Sequence, residues 1–288
     1  SPNFLGSNAT TKRHGETLLS TSHSESKTVP DARLAATILL LRDGEQGLEV
    51  FMVVRHQKID FATGALVFPG GKLAPSDSAS GLEAHCTGCQ DLTADQRALR
   101  VGAIREAFEE CGMLLARKKG ERDLIDADRL APIGEQYRKP LDRGETGMLD
   151  MLLAESLELA CETLVPFAHW ITPTFMPKRF DTHFYLARAP AGQVGRHDGR
   201  EMVDSVWIRP ADAIAQAKAG SRTIVPATLL NVEKLAKSDS VDQALENARA
   251  SQVVTVLPEA RQEGGNIHLS IPANAGYEVT EFSLPGSL

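Results

Sequence analysis

One stretch of the sequence decides the fold: Arg105-Glu106-Ala107-Phe108-Glu109-Glu110-Cys111-Gly112-Met113. Read as a helix, it makes Glu106 and Glu110 neighbours on one surface, where two like charges cost about 0.2–0.5 kcal/mol. Glu109 and Glu110 also come just before Gly112, a typical helix end, where the helix dipole disfavours each negative group by about 0.3–1 kcal/mol. A bound divalent cation would reverse the sign of all these terms. The stretch therefore predicts one side of a metal site.

The apolar residues around this stretch predict a helix with a buried face. They recur at three- and four-residue intervals: Val101, Ile104, Phe108 and Cys111. Two helix starts are compatible with the sequence, at Thr93, which has capping-box spacing to Gln96, and at Asp95. The glutamates point away from the apolar face. A solvated acidic face is the alternative interpretation of such a charge run.

A glycine-rich turn precedes the helix in Leu66-Val67-Phe68-Pro69-Gly70-Gly71-Lys72. Proline cannot continue a central strand, and paired glycines reach backbone geometries that other residues adopt only at a cost. An apolar strand is therefore expected to end in a loop whose carbonyl groups can face a cation.

Together, Gly71 and the Arg105–Met113 stretch resemble the signature of the Nudix hydrolases. That signature is Gly, five residues, Glu, seven residues, then Arg-Glu-apolar-x-Glu-Glu-x-Gly-apolar. Its second half is in register here, and only Ala107 is smaller than usual. In the first half, Gly71 precedes Arg105 by 34 residues instead of 14, so about 20 residues are inserted, and Asp77 replaces the expected glutamate.

This split signature resembles the branch of the family that includes the peroxisomal coenzyme A diphosphatases. A second similarity to that branch lies in Trp170-Ile171-Thr172-Pro173-Thr174, followed by Lys178-Arg179-Phe180-Asp181-Thr182-His183-Phe184. The resemblance implies an α/β (α+β) fold, a helix-sheet-helix sandwich with a mixed β-sheet. Strands mixed with helices, without a regular βαβ repeat, agree with it.

The resemblance also implies roles for individual residues. Glu106 and Glu110 would be the main metal ligands, Glu109 would assist, and the carbonyl group of Gly70 would contribute. Arg105 would pair with a glutamate of the signature and orient it. The implied reaction is attack of water on one phosphorus of a nucleoside diphosphate linked to another moiety.

The residue types agree with this pyrophosphatase chemistry. Carboxylates suit hard ions such as Mg²⁺ or Mn²⁺, which bridge phosphate oxygens and lower the pKa of a bound water. Because ligated carboxylates are poor bases, a separate group is expected to deprotonate the water. Many Nudix enzymes place that glutamate shortly before a strand containing Trp. Glu201, six residues before Trp207, is the candidate, and an exposed loop glutamate is the alternative.

Two arginines are candidates for contact with the substrate phosphates. Arg55 ends a predicted strand, and Arg179 lies in the second similar segment. A planar guanidinium suits bidentate phosphate contact. A surface salt bridge is an equally good interpretation of Arg55. The single Cys86-x-x-Cys89 pair does not predict zinc, because a structural zinc site needs four ligands.

Composition limits the class of protein. The 288 residues are 42% apolar, enough for a substantial core, and the net charge of −7 argues against nucleic acid or an anionic membrane as partner. No apolar run reaches the ~20 residues of a spanning helix. Four cysteines predict a reducing compartment. The final Gly286-Ser287-Leu288 is not the Ser-Lys-Leu peroxisomal address, so the peroxisomal location of the resembling branch is not carried over. The cysteines are consistent with the expected cytoplasmic location.

The expected organisation has three parts. Residues 1–30 form a disordered or tag-like arm, residues 31–210 form the Nudix domain with a surface insertion at about 73–92, and residues 211–288 pack helices and a hairpin on the same domain. The predicted strands are Ala35–Leu41, Val50–Val54, Ala65–Phe68, Phe180–Ala187, Val203–Ile208, Val253–Leu257 and Asn266–Ile271, the last two as a hairpin. Besides the acidic helix, the predicted helices are Met148–Thr163, Pro210–Ala219 and Pro226–Ala236, and Leu130–Leu141 is ambiguous.

The expected substrate is a small nucleoside diphosphate derivative. Coenzyme A or an acyl-coenzyme A is favoured by the resemblance alone, and ADP-ribose and NADH are alternatives. A domain that binds a nucleotide without cleaving it, in order to regulate a partner, is the alternative from another class. The oligomeric state, a homodimer included, stays open.

Overall fold

A computed structural model describes residues 29–55, 64–195 and 202–285. The predicted arm therefore lies almost wholly outside the described residues. The strands are β1 (Arg33–Gly44), β2 (Gly47–Arg55), β3 (Leu66–Val67), β4 (Gly70–Lys72), β5 (Ala116–Lys118), β6 (Leu157–Leu159), β7 (Val165–Ile171), β8 (Phe180–Arg188), β9 (Met202–Ile208), β10 (Thr255–Val256), β11 (Glu259–Glu263), β12 (Asn266–Ser270) and β13 (Glu281–Pro285). The α-helices are α1 (Ala94–Glu106), α2 (Ala127–Asp142), α3 (Met148–Glu155), α4 (Pro210–Lys218), α5 (Pro226–Leu235) and α6 (Val241–Ala250).

A mixed sheet of eight strands forms the centre of the molecule. Its strand order is β10-β7-β8-β1-β2-β3, with β4 paired to β1 and β9 paired to β2. β1 runs parallel to β8, and β10 runs parallel to β7, whereas the other pairs are antiparallel. The sheet thus holds the Gly70–Lys72 strand directly against β1.

Helices cover both faces of this sheet. Successive side chains of a strand point to opposite faces. In β1, Ile38 and Leu40 belong to the core under α1, α2 and α3, whereas Leu39 and Leu41 belong to the core under α4, α5 and α6. The predicted helix-sheet-helix sandwich with a mixed sheet is confirmed.

The insertion after Gly71 is not the surface excursion that its composition predicts. It forms two 3₁₀ turns, Pro75–Ser78 and Leu82–His85, and buries the side chains of Asp77 and Cys86. The backbone N–H of Thr87 donates to the carbonyl of Leu159 at 2.9 Å, which ties the insertion to β6. Most of its polar residues face solvent, Asp77 excepted, while Leu82, Cys86 and Cys89 join the core.

Two predicted elements are wrong in their extent. The segment Met148–Thr163 is not one helix, because α3 ends at Ser156, which adopts a left-handed conformation with φ of 56°, and β6 follows. The late hairpin does turn at Gly264-Gly265, but its first strand is β11 and not Val253–Leu257. β10 instead pairs with β7 in the central sheet.

The C-terminal part of the chain packs on the same sheet through a buried polar chain. The Trp170 indole N–H donates to the Tyr277 hydroxyl at 2.7 Å, and this hydroxyl donates to Asn231 Oδ1 at 2.7 Å. β7, α5 and the segment before β13 are thereby connected. Among the described residues, no helix has the length and apolar character needed to cross a membrane.

Candidate active site

The acidic stretch ends helix α1 in a widened turn. The helix begins with the predicted capping box, in which Thr93 Oγ1 accepts from Gln96 N at 3.2 Å and Gln96 Oε1 accepts from Thr93 N at 3.0 Å. After Glu106 the helix continues as a π-helical turn, Ala107–Cys111, and stops at Gly112, whose φ of 69° is left-handed. Single π turns of this kind are frequent at functional sites. This turn carries Glu109 and Glu110.

The glycine strand β4 lies directly against two of these glutamates. The Gly70 N–H donates to Glu110 Oε2 at 2.9 Å. At Gly71, a Cβ atom would come within 2.5 Å of Glu106 Oε1, so no larger residue fits without moving that carboxylate. The turn and the glycine strand therefore form two sides of one acidic site.

Arg105 joins the insertion to the acidic turn. Its Nε donates to Asp77 Oδ1 at 2.8 Å, and its Nη2 donates to Asp77 Oδ2 at 3.0 Å. Its Nη1 lies 2.8 Å from Glu109 Oε2 and 3.0 Å from Glu106 Oε1. Burial alone would lower the pKa of Arg105, but Asp77 and the two glutamates raise it above its ordinary value. The guanidinium is thus permanently charged and holds both glutamates.

Glu109 is the least satisfied of the three carboxylates. It is buried, and its Oε1 accepts no hydrogen bond from any described residue. Burial raises the pKa of Glu109 to about 8, with a further contribution from Glu106, although Arg105 lowers it. A buried carboxylate oxygen without a donor is costly, and a bound cation would remove that cost. The residues present therefore fit a divalent metal ion.

A cleft of about 880 Å³ opens over the carboxylates and also contains basic groups. Glu106, Glu109 and Glu110 line one part of it. The basic residues that line it are Arg33, Arg55, Lys72, Arg105, Arg143 and Lys178. Negative and positive groups that share one cleft suit a ligand that carries phosphates together with a cation.

The two candidate phosphate-binding arginines differ in position. Arg55 lines the cleft, and its buried Nε has no acceptor among the described residues. Arg179 does not line the cleft. Its Nε donates to the carbonyl of Thr172 at 3.0 Å, and its Nη1 donates to the carbonyl of Pro30 at 2.7 Å. The adjacent Lys178 lines the cleft in its place. Glu201, the candidate base, lies outside the described residues.

Sequence reasoning missed Arg138 of α2. Its Nε donates to the backbone carbonyl of Glu109 at 2.8 Å, which fixes the π-helical turn from outside. The pairing of Asp77 with Arg105 was also missed, although Asp77 was recognised at the position of a signature glutamate. The position of Asp77, where the signature has a glutamate, indicated that its carboxylate belongs to the site. The sequence pattern of α2 was ambiguous, and nothing in it distinguished Arg138 from the other polar residues.

The comparisons with known proteins identify the family. A family model described as the NUDT19 Nudix domain matches residues 81–235. The putative nudix hydrolase 7 of Caenorhabditis elegans is 25% identical over 205 residues, which cover 71% of this chain and 61% of that protein. The acyl-coenzyme A diphosphatase NUDT19 of Xenopus laevis is 25% identical over 226 residues, covering 65% of this chain and 59% of that protein.

The chain thus spans about three fifths of the length of these two relatives. Among solved structures, a NUDIX hydrolase from Alicyclobacillus acidocaldarius superimposes with a TM-score of 0.64 and 28% identity. The superposition covers 75% of this chain and 96% of that one. Sequence and fold therefore lead to the same family.

Proposed function

This chain belongs to the NUDT19 Nudix domain family, and on that premise we propose that it hydrolyses the diphosphate bond of a nucleoside diphosphate derivative with the help of a metal ion. The observation that carries the proposal is Glu109, which lines a cleft that also contains basic groups and whose buried Oε1 has no hydrogen-bond donor among the described residues. An unsatisfied carboxylate at that position agrees with a role as metal ligand.

Within this proposal, Glu106, Glu110 and the carbonyl of Gly70 hold the ion and Glu109 assists. Mg²⁺ or Mn²⁺ suits these oxygen ligands, and when bound the ion would neutralise phosphate charge and lower the pKa of a water molecule. Arg105, itself fixed by Asp77, holds the carboxylates of Glu106 and Glu109 in place. Preorganised carboxylates need no rearrangement during the reaction, which is the main source of such electrostatic catalysis.

The basic part of the cleft has a separate role in the proposal. Arg55 contacts a phosphate oxygen, because its Nε is buried without an acceptor among the described residues. Lys178 and Arg33 neutralise charge at the other end of the cleft. Arg179 acts only indirectly, by fixing the backbone of Thr172 and Pro30. The proposed base, Glu201, would take the proton of the attacking water.

Coenzyme A or an acyl-coenzyme A is the proposed substrate. This proposal is supported by the similarity to a protein named acyl-coenzyme A diphosphatase. The relatives are longer than the part of them that this chain matches. The set of carboxylates that suits a metal argues against a domain that binds a nucleotide without cleaving it. All four cysteines are free and buried, which agrees with a reducing compartment such as the cytoplasm. A homodimer stays a prediction that sedimentation would test.

A substrate screen tests this function. The purified chain is incubated with Mg²⁺ or Mn²⁺ and with coenzyme A, acetyl-coenzyme A, ADP-ribose, NADH or a dinucleoside polyphosphate, and the products are identified by mass. We expect 3′,5′-ADP and phosphopantetheine from coenzyme A, only when the metal is present. Cleavage of ADP-ribose or NADH in preference would replace the substrate but keep the reaction. Calorimetric binding of a nucleotide without any product would overturn the reaction itself.

A further inference from the structure

A second group of metal-ligating side chains lies on strands β7 and β8. His169 of β7 and His183 of β8 are cross-strand partners, and their rings stack with centroids 3.9 Å apart. Asp181 Oδ1 lies 2.5 Å from His169 Nε2 and 3.5 Å from His183 Nε2. One ligand atom from each of the three residues lies within 4.8 Å of the other two. Two imidazoles and a carboxylate thus converge on one point.

This His–Asp–His cluster is separate from the acidic cleft. Thr182 lines the cleft, whereas Asp181 and His183, which alternate with it along β8, face the core under α1 together with Tyr185 and Ala187. His169, Asp181 and His183 are not among the residues that line the cleft. Their side chains are 16%, 26% and 30% exposed, so an ion from solvent reaches them directly.

A hydrogen bond fixes the orientation of one of the two rings. His169 Nδ1 lies 2.8 Å from the hydroxyl of Thr255 in β10, which directs Nε2 toward Asp181. Histidine ligands of metals commonly have such a partner at the other ring nitrogen.

We propose that His169, Asp181 and His183 bind a transition-metal ion, Zn²⁺ in the first place, with a water molecule as the fourth ligand. Ligand atoms around tetrahedral Zn²⁺ are roughly 3.3 Å apart, given Zn–N and Zn–O distances of about 2.0–2.1 Å. Binding of the ion would require the stacked rings to open, because an imidazole nitrogen coordinates in the plane of its ring. The proton shared between His169 Nε2 and Asp181 Oδ1 leaves to solvent when the ion binds.

The chemistry of the cluster selects the ion. Imidazole favours borderline ions such as Zn²⁺, Cu²⁺ and Ni²⁺, whereas Mg²⁺ and Ca²⁺ favour oxygen ligands. Since Thr255 belongs to β10, the ion would join β7 and β8 to the C-terminal part of the chain. With three protein ligands the site is open, and binding of the ion does not depend on the hydrolytic reaction.

Zinc binding in excess Mg²⁺ tests the proposal, because Mg²⁺ competes for the oxygen ligands of the acidic cleft. Titration calorimetry of the full chain with ZnCl₂ should give one bound ion, and the thermal unfolding temperature should rise with Zn²⁺ concentration. Co²⁺ should give the visible absorption of a tetrahedral centre. Asp181→Asn and His183→Gln should abolish all three signals.

Three control variants separate this site from others. Glu110→Gln, in the acidic cleft, and His268→Ala, whose ring contacts Ser283 in the three-stranded C-terminal sheet, should bind Zn²⁺ as the parent chain does. Thr255→Val keeps all three ligands and should weaken binding about tenfold. Because Thr255→Val leaves the three ligands in place, it still tests the proposal if a ligand variant fails to fold. No zinc binding by the parent chain, unchanged binding in the ligand variants, or loss of the ion in Glu110→Gln would each overturn the proposal.

Discussion

Asp77 and Arg105 form a buried, two-bonded ion pair across 28 residues of sequence, with donor–acceptor distances of 2.8 and 3.0 Å. The side chain of Asp77 is fully buried. Asp77 belongs to the insertion, and Arg105 belongs to the helix that carries the acidic turn. The inserted residues therefore close the site that they interrupt in sequence.

Replacing Asp77 by Asn should destabilise the protein. Removing one partner of a buried ion pair typically costs about 3–5 kcal/mol, although Arg105 keeps Glu106 and Glu109 as partners. Because Asn keeps one acceptor oxygen, we expect the free energy of unfolding, measured by urea denaturation, to fall by about 3 kcal/mol. The matched control is Asp95→Asn, at an exposed position in the first turn of α1, which should change little. Equal stabilities of the two variants would contradict this reading of Arg105.

Replacing Gly71 by Ala should separate activity from stability. The new Cβ would approach Glu106 Oε1 to 2.5 Å, and the flexible carboxylate would have to move. A displacement of about 1 Å in a catalytic group can cost about 100-fold, so we expect kcat to fall by that order while the fold remains. Gly134→Ala in α2 is the control, because nothing lies within 4 Å of its Cβ. It should raise stability by about 0.5–1 kcal/mol at unchanged kcat.

Replacing Glu110 by Gln should remove metal-dependent turnover. The amide keeps the shape and an acceptor for the Gly70 N–H, but it loses the negative charge that the cation needs. A metal ion contributes several kcal/mol, and each 1.36 kcal/mol is tenfold in rate, so kcat should fall at least about 100-fold. Glu135→Gln, on an exposed part of α2, should keep full activity. Full activity in the Glu110 variant at any Mg²⁺ concentration would rule out its role as a ligand.

Lys234 should make stability depend on pH. Burial lowers the pKa of Lys234, whose Nζ donates to the carbonyl of Phe167 at 2.9 Å and lies 4.8 Å from the ring of Phe167. Between the lowered folded-state pKa and the unfolded value of about 10.4, the unfolded chain binds more protons than the folded chain. Stability from this group therefore rises as pH increases through that window, and it is lost as pH falls through the folded-state pKa.

Lys234→Met should abolish this contribution. The measurement is the free energy of unfolding from pH 7 to pH 10.5 for the parent chain and the variant. We expect the difference between parent and variant to grow in favour of the parent as pH rises. Lys218→Met, at an exposed end of α4, should follow the parent curve. A constant difference across this range would show that Lys234 does not titrate abnormally.

The sequence predicts the parts of the fold that local patterns determine. The capping box at Thr93, the stop at Gly112 and most strands of the central sheet follow from local spacing and turn residues. The segment after α3 was missed because it is as apolar as a buried helix, and only pairing with β5 makes it a strand. For a short apolar segment, neither the hydrophobic periodicity nor the composition distinguishes a buried strand from a buried helix.

The candidate site also contains residues that local sequence patterns predict and residues that they do not. Glu106, Glu109, Glu110 and Gly70 are brought together as the signature implies, because one helix turn and one tight strand carry them. Arg138 and the cleft position of Lys178 depend on how distant elements pack. Such packing is a non-local property, and no short spacing encodes it. The role of Arg55 and the base Glu201 stay predictions.

The placement of β1 and β2 limits what can be cut from this protein. The family model matches residues 81–235, but these two strands, at residues 33–55, form the middle of the central sheet, and β4 with its two glycines also precedes the match. A fragment trimmed to the matched region would lack β1, the strand that pairs with β8, and would also lack the Gly70 N–H that donates to Glu110 Oε2. A recombinant form of this protein must therefore include β1, β2 and β4. A shorter fragment would aggregate, and an assay on it would not measure catalysis.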